Sequence, residues 1–338
     1  MDLNECASLI QNYLSNNPLV ILGSGASATF GLPTMADLSN ELMRYSSQFD
    51  DESSKAFFSM LKCGESLESA MGSVNQLNDS DSALIRKIIW EFINSKDLSF
   101  FESIIKNDFQ DFTLVRLIEK IISASPYKVD IITTNYDRLA EYASDKVGAS
   151  VISGFEGLYY RKMEISSRSM NVQRIKARER QVSVWKVHGS LDWFISPQGE
   201  YCDLPNRCII PDGFLPCIVP PGKNKYLETH QNPYRDIIAN ADVAIENAKC
   251  FLVVGYGFND DHIQPKIIEK IKNKKSVVIL AKQATESCKK VIQDSGAKDF
   301  LIIEEDQSKK YKTHVISSSG DHYFDDEFWS IDGFMKIW

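Results

Sequence analysis

Paired cysteines are missing from this chain. Its seven cysteines, Cys6, Cys63, Cys202, Cys208, Cys217, Cys250 and Cys288, are scattered, odd in number and include no C-x-x-C pair. That pattern argues against a disulfide framework. Zinc sites usually carry at least one such pair, so Cys202, Cys208 and Cys217 read as buried or idle thiols before they read as a metal site. Long apolar runs are missing too: no stretch approaches the roughly 18 residues that a membrane span needs. Met1 to Leu14 is polar and acidic, without the basic n-region of a signal peptide, so a cytoplasmic location is expected. Positive charge is in deficit, with 38 Lys and Arg against 46 Asp and Glu and a net charge of −8. That balance does not fit a general nucleic-acid binder. Repeats and low-complexity segments are absent as well.

One segment departs from the acidic balance. Arg161, Lys162, Arg168, Arg174, Lys176, Arg178 and Arg180 face only Glu164 and Glu179. It reads as a solvated hairpin or loop, or as a contact for an acidic partner or nucleic acid.

What is present is a series of apolar runs of strand length. Leu19 to Leu22, Val129 to Ile132, Val182 to Val187 and Cys250 to Val254 are followed by runs at 277–281 and 300–304. Helical patterns lie before and between them, at Asn4 to Leu14, Asp137 to Lys146, Tyr234 to Asn247, 261–273 and 284–294. Continuous apolar strands alternating with helices predict an α/β fold, a Rossmann-like parallel sheet with helices on both faces. From Ala36 to Ser125 the periodicity is helical throughout, as in Leu84, Ile85, Ile88, Ile89 and Phe92. A βαβ crossover needs far less, so 36–125 is expected to be a large α-helical insertion or lid. Thr34 is placed to cap its first helix. The whole chain, 1–338, reads as one domain, with 155–235 an irregular small subdomain and 320–338 a C-terminal apolar tail. The tail's Phe324, Phe328, Trp329, Ile331, Phe334, Met335, Ile337 and Trp338 either dock back onto the domain or form a subunit or partner contact.

Three turns carry the chemistry, each directly after an apolar strand. Gly23-Ser24-Gly25-Ala26-Ser27 is a glycine loop, whose backbone N–H groups can approach a pyrophosphate at a helix start. The acidic ribose-binding residue expected about 20 residues on, after a second strand, is not evident, which argues against an ordinary dehydrogenase. Thr133-Thr134-Asn135-Tyr136-Asp137 is either a capped helix start or a site. As a site, Asn135 would position a water or a ribose hydroxyl and Asp137 would hold the loop. His188-Gly189 offers an imidazole suited to general base work at neutral pH. A later turn, Gly255-Tyr256-Gly257, ends a further apolar strand, and His262 could cap or line it. Ser24, Ser27 and Ser190 lack a nucleophile-elbow context. Turns at the carboxyl ends of strands in an open α/β sheet converge on one ligand. Together they point to a dinucleotide that is handled and broken.

These motifs resemble the sirtuin family, and within it the sirtuin-like NAD-hydrolase branch of bacterial anti-phage defence, in particular the sirtuin-like subunit partnered with a HerA-type ATPase. Gly23 to Ser27 is similar to the sirtuin Gly-Ala-Gly-x-Ser loop, and Gly31-Leu32-Pro33 to the Gly-Ile-Pro after it. Thr133 to Asp137 resembles Thr-Gln-Asn-x-Asp, and His188-Gly189 the catalytic His-Gly. Gly255-Tyr256-Gly257-Phe258 stands at the later glycine turn, and Leu280-Ala281-Lys282 would lie near the adenosine. Deacylases continue Gly-Ile-Pro with Asp-Phe-Arg, where this chain has Thr34-Met35-Ala36. They also carry a paired-cysteine zinc module and a shorter cofactor loop. The resemblance therefore implies an NAD glycohydrolase, with NAD as substrate and no metal. Asn135, His188 and Asp137 would be catalytic. Gly23, Ser24, Gly25, Ser27, Thr134, Gly255, Tyr256, Gly257 and Lys282 would hold the cofactor. It implies a large homo-oligomer, a HerA-like ATPase partner, and nucleic-acid contact through that complex. The alternatives are an NAD-dependent protein deacylase, or a non-catalytic subunit that binds NAD or ADP-ribose to regulate an ATPase or nuclease.

Overall fold

The computed structural model describes residues 1–74, 77–124, 126–164, 180–222, 231–260 and 263–338. Most of the basic segment, together with His230 and His262, lies outside the described residues.

Helix α1 (Leu3–Tyr13) leads into strand β1 (Leu19–Leu22), whose four residues are all buried. A five-residue helix, α2 (Ser24–Ala28), follows the glycine loop. Then come α3 (Met35–Arg44), α4 (Glu52–Lys62), α5 (Leu67–Ser73), α6 (Asp79–Lys106) and α7 (Thr113–Ile122). Thr34 caps α3 in a reciprocal box, its hydroxyl accepting from the Asp37 N–H while Asp37 accepts from the Thr34 N–H. In α6, Ile85, Ile88, Ile89, Trp90 and Ile93 recur at helical spacing and are all buried. This apolar face is what lets 28 residues run as one helix against the domain.

The chain returns to the sheet in β2 (Lys128–Thr133), passes through α8 (Leu139–Lys146), and adds β3 (Ser150–Ile152), β4 (Phe155–Glu156) and β5 (Arg161–Met163). Next are β6 (Gln181–Lys186), β7 (Gly189–Ile195), β8 (Tyr201–Asp203), β9 (Leu215–Ile218) and α9 (Tyr234–Asn247). The alternation closes with β10 (Cys250–Val254), α10 (Gln264–Lys272), β11 (Ser276–Ala281), α11 (Glu286–Ser295) and β12 (Phe300–Glu305). Last come β13 (Thr313–Ser317), β14 (Gly320–Phe324) and α12 (Ile331–Ile337).

Among the described residues the main sheet has the order β14-β13-β12-β11-β10-β1-β2-β6-β3. From β3 to β12 every pairing is parallel; β13 and β14 are antiparallel at one edge. The fold is a mixed α/β structure around a Rossmann-like, mostly parallel sheet. Alternate residues feed two cores. Val20, Leu22, Leu252 and Val254 face α1, the insertion helices and α8. Leu19, Ile21, Phe251 and Val253 face α9, α10 and α11.

Two regions take on definite form in the structure. The stretch expected to be irregular contains a five-stranded antiparallel sheet, β4-β5-β8-β7-β9. Its strands run from two to seven residues and one holds Pro216, too short and interrupted for periodicity to reveal. The C-terminal apolar tail is strand β14, paired with β13, followed by α12. Phe328 and Phe334 of that segment are fully buried in the chain's own core, so they dock back onto the domain.

Candidate active site

The sheet changes direction between β1 and β10. From β1 the chain moves outward through β2 and β6; from β10 it moves the other way through β11 and β12. This is a topological switch point, where open α/β sheets leave a crevice at their carboxyl ends. The register makes those ends level. Leu22 pairs with both Val254 and Thr133, Thr133 with Lys186, and Val254 with Leu280. The turns beyond these residues therefore meet in one place. Gly23, Ser24, Gly25, Ser27, Thr134, Asn135, Asp137, His188, Gly255, Tyr256, Gly257 and Lys282 all line a single cleft of about 920 Å³. Met35 and Leu38 of α3, Glu68 of α5 and Ile93 of α6 also line it, so the helical insertion forms part of its wall.

The two glycine turns pack backbone against backbone. Gly23 N–H donates to Val254 O and Gly25 N–H donates to Gly255 O, both at 3.0 Å. A Cβ on Gly23 would stand 2.4 Å from Gly255 O, and one on Gly255 would stand 2.1 Å from Ala26 N. The Gly23 and Gly25 amides are taken up within the fold rather than pointed at a phosphate, and the glycines are needed because the turns touch. Ser24 and Gly25 are exposed and line the cleft.

The Asn135 turn is held by its neighbours. Asn135 Nδ2 donates to Gly23 O at 2.9 Å and to Ser27 Oγ at 2.8 Å. Ser27 Oγ in turn donates to Asp137 Oδ2 at 2.7 Å, and Asp137 Oδ1 accepts from the Leu139 N–H. Both amide hydrogens of Asn135 are committed inward, so its Oδ1 is the atom that can accept from a ligand in the cleft. Ser27, expected to hold cofactor, lines the cleft and bonds to Asn135 and Asp137. Asp137 is buried and accepts hydrogen bonds from within the fold. Burial raises the pKa of its carboxyl, opposed by the nearby Lys186 charge and the Ser27 hydrogen bond. Lys186 Nζ also donates to Asp137 O and lies 3.1 Å from Glu141.

His188 sits where the main sheet crosses into the small one, between β6 and β7. Gly189 has φ +92°, and a Cβ there would stand 2.0 Å from Cys217 O of β9. Glycine is required for that crossing. The His188 carbonyl accepts from the Val219 N–H at 2.9 Å, which anchors the residue, and its side chain is buried. Its Nε2 lies 2.7 Å from Oδ2 of Asp260, another buried side chain lining the cleft. Sequence reasoning missed Asp260. The available signal was an acid a few residues after the second glycine turn, but only the sheet order brings that turn across to His188.

A second group also escaped the sequence. Arg138, next to Asp137, is almost fully buried. Its N–H and guanidinium both donate to Asp97 of α6, at 2.8 and 2.6 Å. Further bonds reach Asn94 of α6 at 2.9 Å and Asp192 of β7 at 2.6 Å. Burial alone would lower the Arg138 pKa, but the Asp192 and Asp97 charges outweigh it and hold the guanidinium firmly protonated. The insertion thus grips the Asn135 turn from behind. Among the described residues no group of three or more His, Cys, Asp or Glu side chains is placed to hold a metal ion. No helix among them is long and apolar enough to cross a membrane.

Comparison with known proteins places this geometry. No curated protein matches the chain in sequence. Among solved structures, a Sir2 enzyme described in work on mechanism and regulation is similar at 16% identity and TM-score 0.45, covering 87% of this chain and 97% of its own. A point mutant of a Sir2 homologue in complex with ADP ribose is 12% identical at TM-score 0.45, covering 86% and 94%. A Sir2 with p53 peptide and NAD+ is 13% identical at TM-score 0.40, covering 88% and 96%. The SIR2-like domain family matches residues 129–312, more than half of the chain, from the start of the Asn135 strand through His188 and the Gly255 turn to beyond Lys282. With that match spanning two of the three turns and the later glycine turn, the chain belongs to the SIR2-like domain family.

Proposed function

We propose that this protein is an NAD glycohydrolase, cleaving NAD to nicotinamide and ADP-ribose. The observation that carries the reading is the convergence of Asn135, His188 and two interlocked glycine turns on one cleft at the switch point. A volume of about 920 Å³ suits a dinucleotide. The bond between C1′ of the ribose and the nicotinamide nitrogen breaks, and the electron pair leaves with nicotinamide. C1′ gains oxocarbenium character, water adds to it, and one proton is released. Asn135 Oδ1 accepts from the attacking water or a ribose hydroxyl and so orients it. His188 takes the proton. Asp137 and Ser27 keep Asn135 in place. Gly255, Tyr256, Gly257, Thr134, Ser24 and Lys282 line the rest of the cleft and would contact the remainder of the dinucleotide. No step requires a metal.

A deacylase would need an open groove for an acyl-peptide. Here Met35, Leu38, Glu68 and Ile93 of the insertion wall the cleft, which favours a free small molecule. The test is product analysis. Purified protein is given NAD with and without an acetyl-lysine peptide. ADP-ribose and nicotinamide in equal amounts, unaffected by peptide, support hydrolysis. Acetylated ADP-ribose formed only with peptide would establish a deacylase instead.

The same reading extends to biology. An enzyme that depletes NAD must be restrained, and we place this one in anti-phage defence, as a cytoplasmic homo-oligomer that works with a HerA-like ATPase and touches nucleic acid through that complex. The support is the motif resemblance and the departures from deacylases. Sedimentation at micromolar concentration tests the assembly, and a monomer alone and with the ATPase would contradict it.

A further inference from the structure

We infer that Glu304 is a positioning residue for the far end of the cleft. By accepting from the Ala284 N–H it fixes the loop after β11, and so sets how tightly the non-reacting half of the dinucleotide is held. The inference rests on the cleft holding a dinucleotide, as the hydrolase reading has it.

The sheet order defines the far end. His188 follows β6 and Asn135 follows β2, whereas Lys282 follows β11, with β1 and β10 between them. At about 4.8 Å per strand, the four steps from β6 to β11 set the His188 and Lys282 turns roughly 19 Å apart. Lys282, Gln283, Ala284 and Thr285 nevertheless line the same cleft as His188. With the scissile bond at the His188 end, the adenosine half extends to this loop.

The loop is held from outside itself. Lys282 O accepts from the Glu305 N–H at 3.1 Å and from Gln307 Nε2 at 3.3 Å. Thr285 Oγ1 donates to Gly257 O at 2.6 Å and accepts from the Cys288 N–H at 3.0 Å, which caps α11. Between these anchors the Ala284 N–H donates to Glu304 Oε2 at 2.8 Å. Glu304 follows the apolar run Phe300 to Ile303 and is buried. A buried carboxylate is costly unless it is paired and hydrogen-bonded. Its second oxygen, Oε1, lies 3.1 Å from both Lys289 Nζ of α11 and His314 Nδ1 of β13. His314 Nε2 in turn lies 3.2 Å from Asp321 of β14. One oxygen therefore meets the scaffold while the other holds the cleft loop. The competing account is that Glu304 only ties α11 and β13 to β12 through its charge.

Glu304→Gln and Glu304→Ala separate the two. Glutamine keeps an oxygen that can accept from the Ala284 N–H but loses the charge; alanine loses both. Amide exchange of the full chain without ligand reports the Ala284 bond directly. The expected result is a protected Ala284 amide in the wild type and Glu304→Gln, and fast exchange in Glu304→Ala. ADP-ribose binding should weaken roughly tenfold in Glu304→Ala, the scale of one lost hydrogen bond, and by less than about threefold in Glu304→Gln. With NAD, KM of Glu304→Ala should rise by the same factor while kcat, set at the His188 end, stays near the wild type. An Ala284 amide that exchanges freely in the wild type overturns the inference even if neither variant folds. So does equal weakening in both variants, which the charge-only account predicts, or wild-type affinity in Glu304→Ala. If ADP-ribose binding follows the expected pattern but the wild type cleaves no NAD, the positioning claim holds and the hydrolase reading falls. A wild type that binds no ADP-ribose removes both.

Discussion

The two sides of the Asn135 turn are built on different principles. Toward the cleft its Thr134 and Asn135 stand beside the Gly23 and Gly255 turns, each turn placed by the end of its own strand. Behind the cleft lies a buried charge cluster in which Arg138 ties together Asp97 and Asn94 of α6 and Asp192 of β7. The first side serves a ligand; the second makes the insertion and the small sheet part of the scaffold. The difference teaches that the helical insertion does more than cover the site. It supplies the partners for a guanidinium that sits one residue from Asp137.

The sharpest way to break this comparison is to remove a charge from behind. Asp97→Ala leaves Arg138 buried beside one carboxylate fewer. Loss of a partner from a buried ion pair costs about 3–5 kcal/mol, so urea unfolding should shift by that amount. A loss below about 1 kcal/mol would mean the cluster is well hydrated and contributes little.

The cleft side should respond in the opposite manner. His188→Ala and Asn135→Ala should each lower NAD cleavage by at least about a hundredfold, with unfolding midpoints close to the wild type. If either variant keeps full activity, the assigned roles are wrong.

Ser27 lies between the two regimes. It faces the cleft, yet among the described side chains its hydroxyl bonds only to Asn135 and Asp137. Ser27→Ala leaves a buried carboxylate short of a donor, which costs about 1–3 kcal/mol. Catalysis should fall through kcat while KM changes little. A rise in KM alone would show that the hydroxyl touches the ligand itself.

The smallest effect expected is that of a chelator. Activity and melting temperature should both stay unchanged, since among the described residues no group of three or more His, Cys, Asp or Glu is placed to hold a metal ion. Stoichiometric zinc, lost together with stability, would overturn this and favour a deacylase.

The same division explains what is legible in the sequence. Gly23 and Gly255 announce themselves because each follows a continuous apolar run, Asn135 and His188 because each follows a β-like run rich in Val and Ile, and strand ends in a parallel sheet are level. Parallel packing with buried faces makes those runs unmistakable. Asp97, Arg138 and Asp192 give no local signal, and Asp260 only that of an acid a few residues after a glycine turn. Each is one acid or base among many, and its meaning depends on a contact between segments 41 to 72 residues apart. The small sheet is hidden for a related reason. Its strands pair through long loops, and fragments such as Phe155–Glu156 carry no period of their own. The glycine loop stands out by its resemblance to phosphate-binding turns, yet its Gly23 and Gly25 amides bond to Val254 and Gly255. Close approach of two backbones and close approach of a phosphate demand the same residue, and sequence cannot tell them apart.

The central claim is that this cleft breaks NAD with Asn135 and His188. The most direct measurement is the release of free nicotinamide from NAD over time, by wild type, Asn135→Ala and His188→Ala at equal concentration, alone and with the proposed HerA-like ATPase. Release matched one to one by ADP-ribose in the wild type, and reduced at least about a hundredfold in both variants, is the result this account predicts. NAD bound tightly but recovered intact under every condition, or cleavage indifferent to both substitutions, would contradict it.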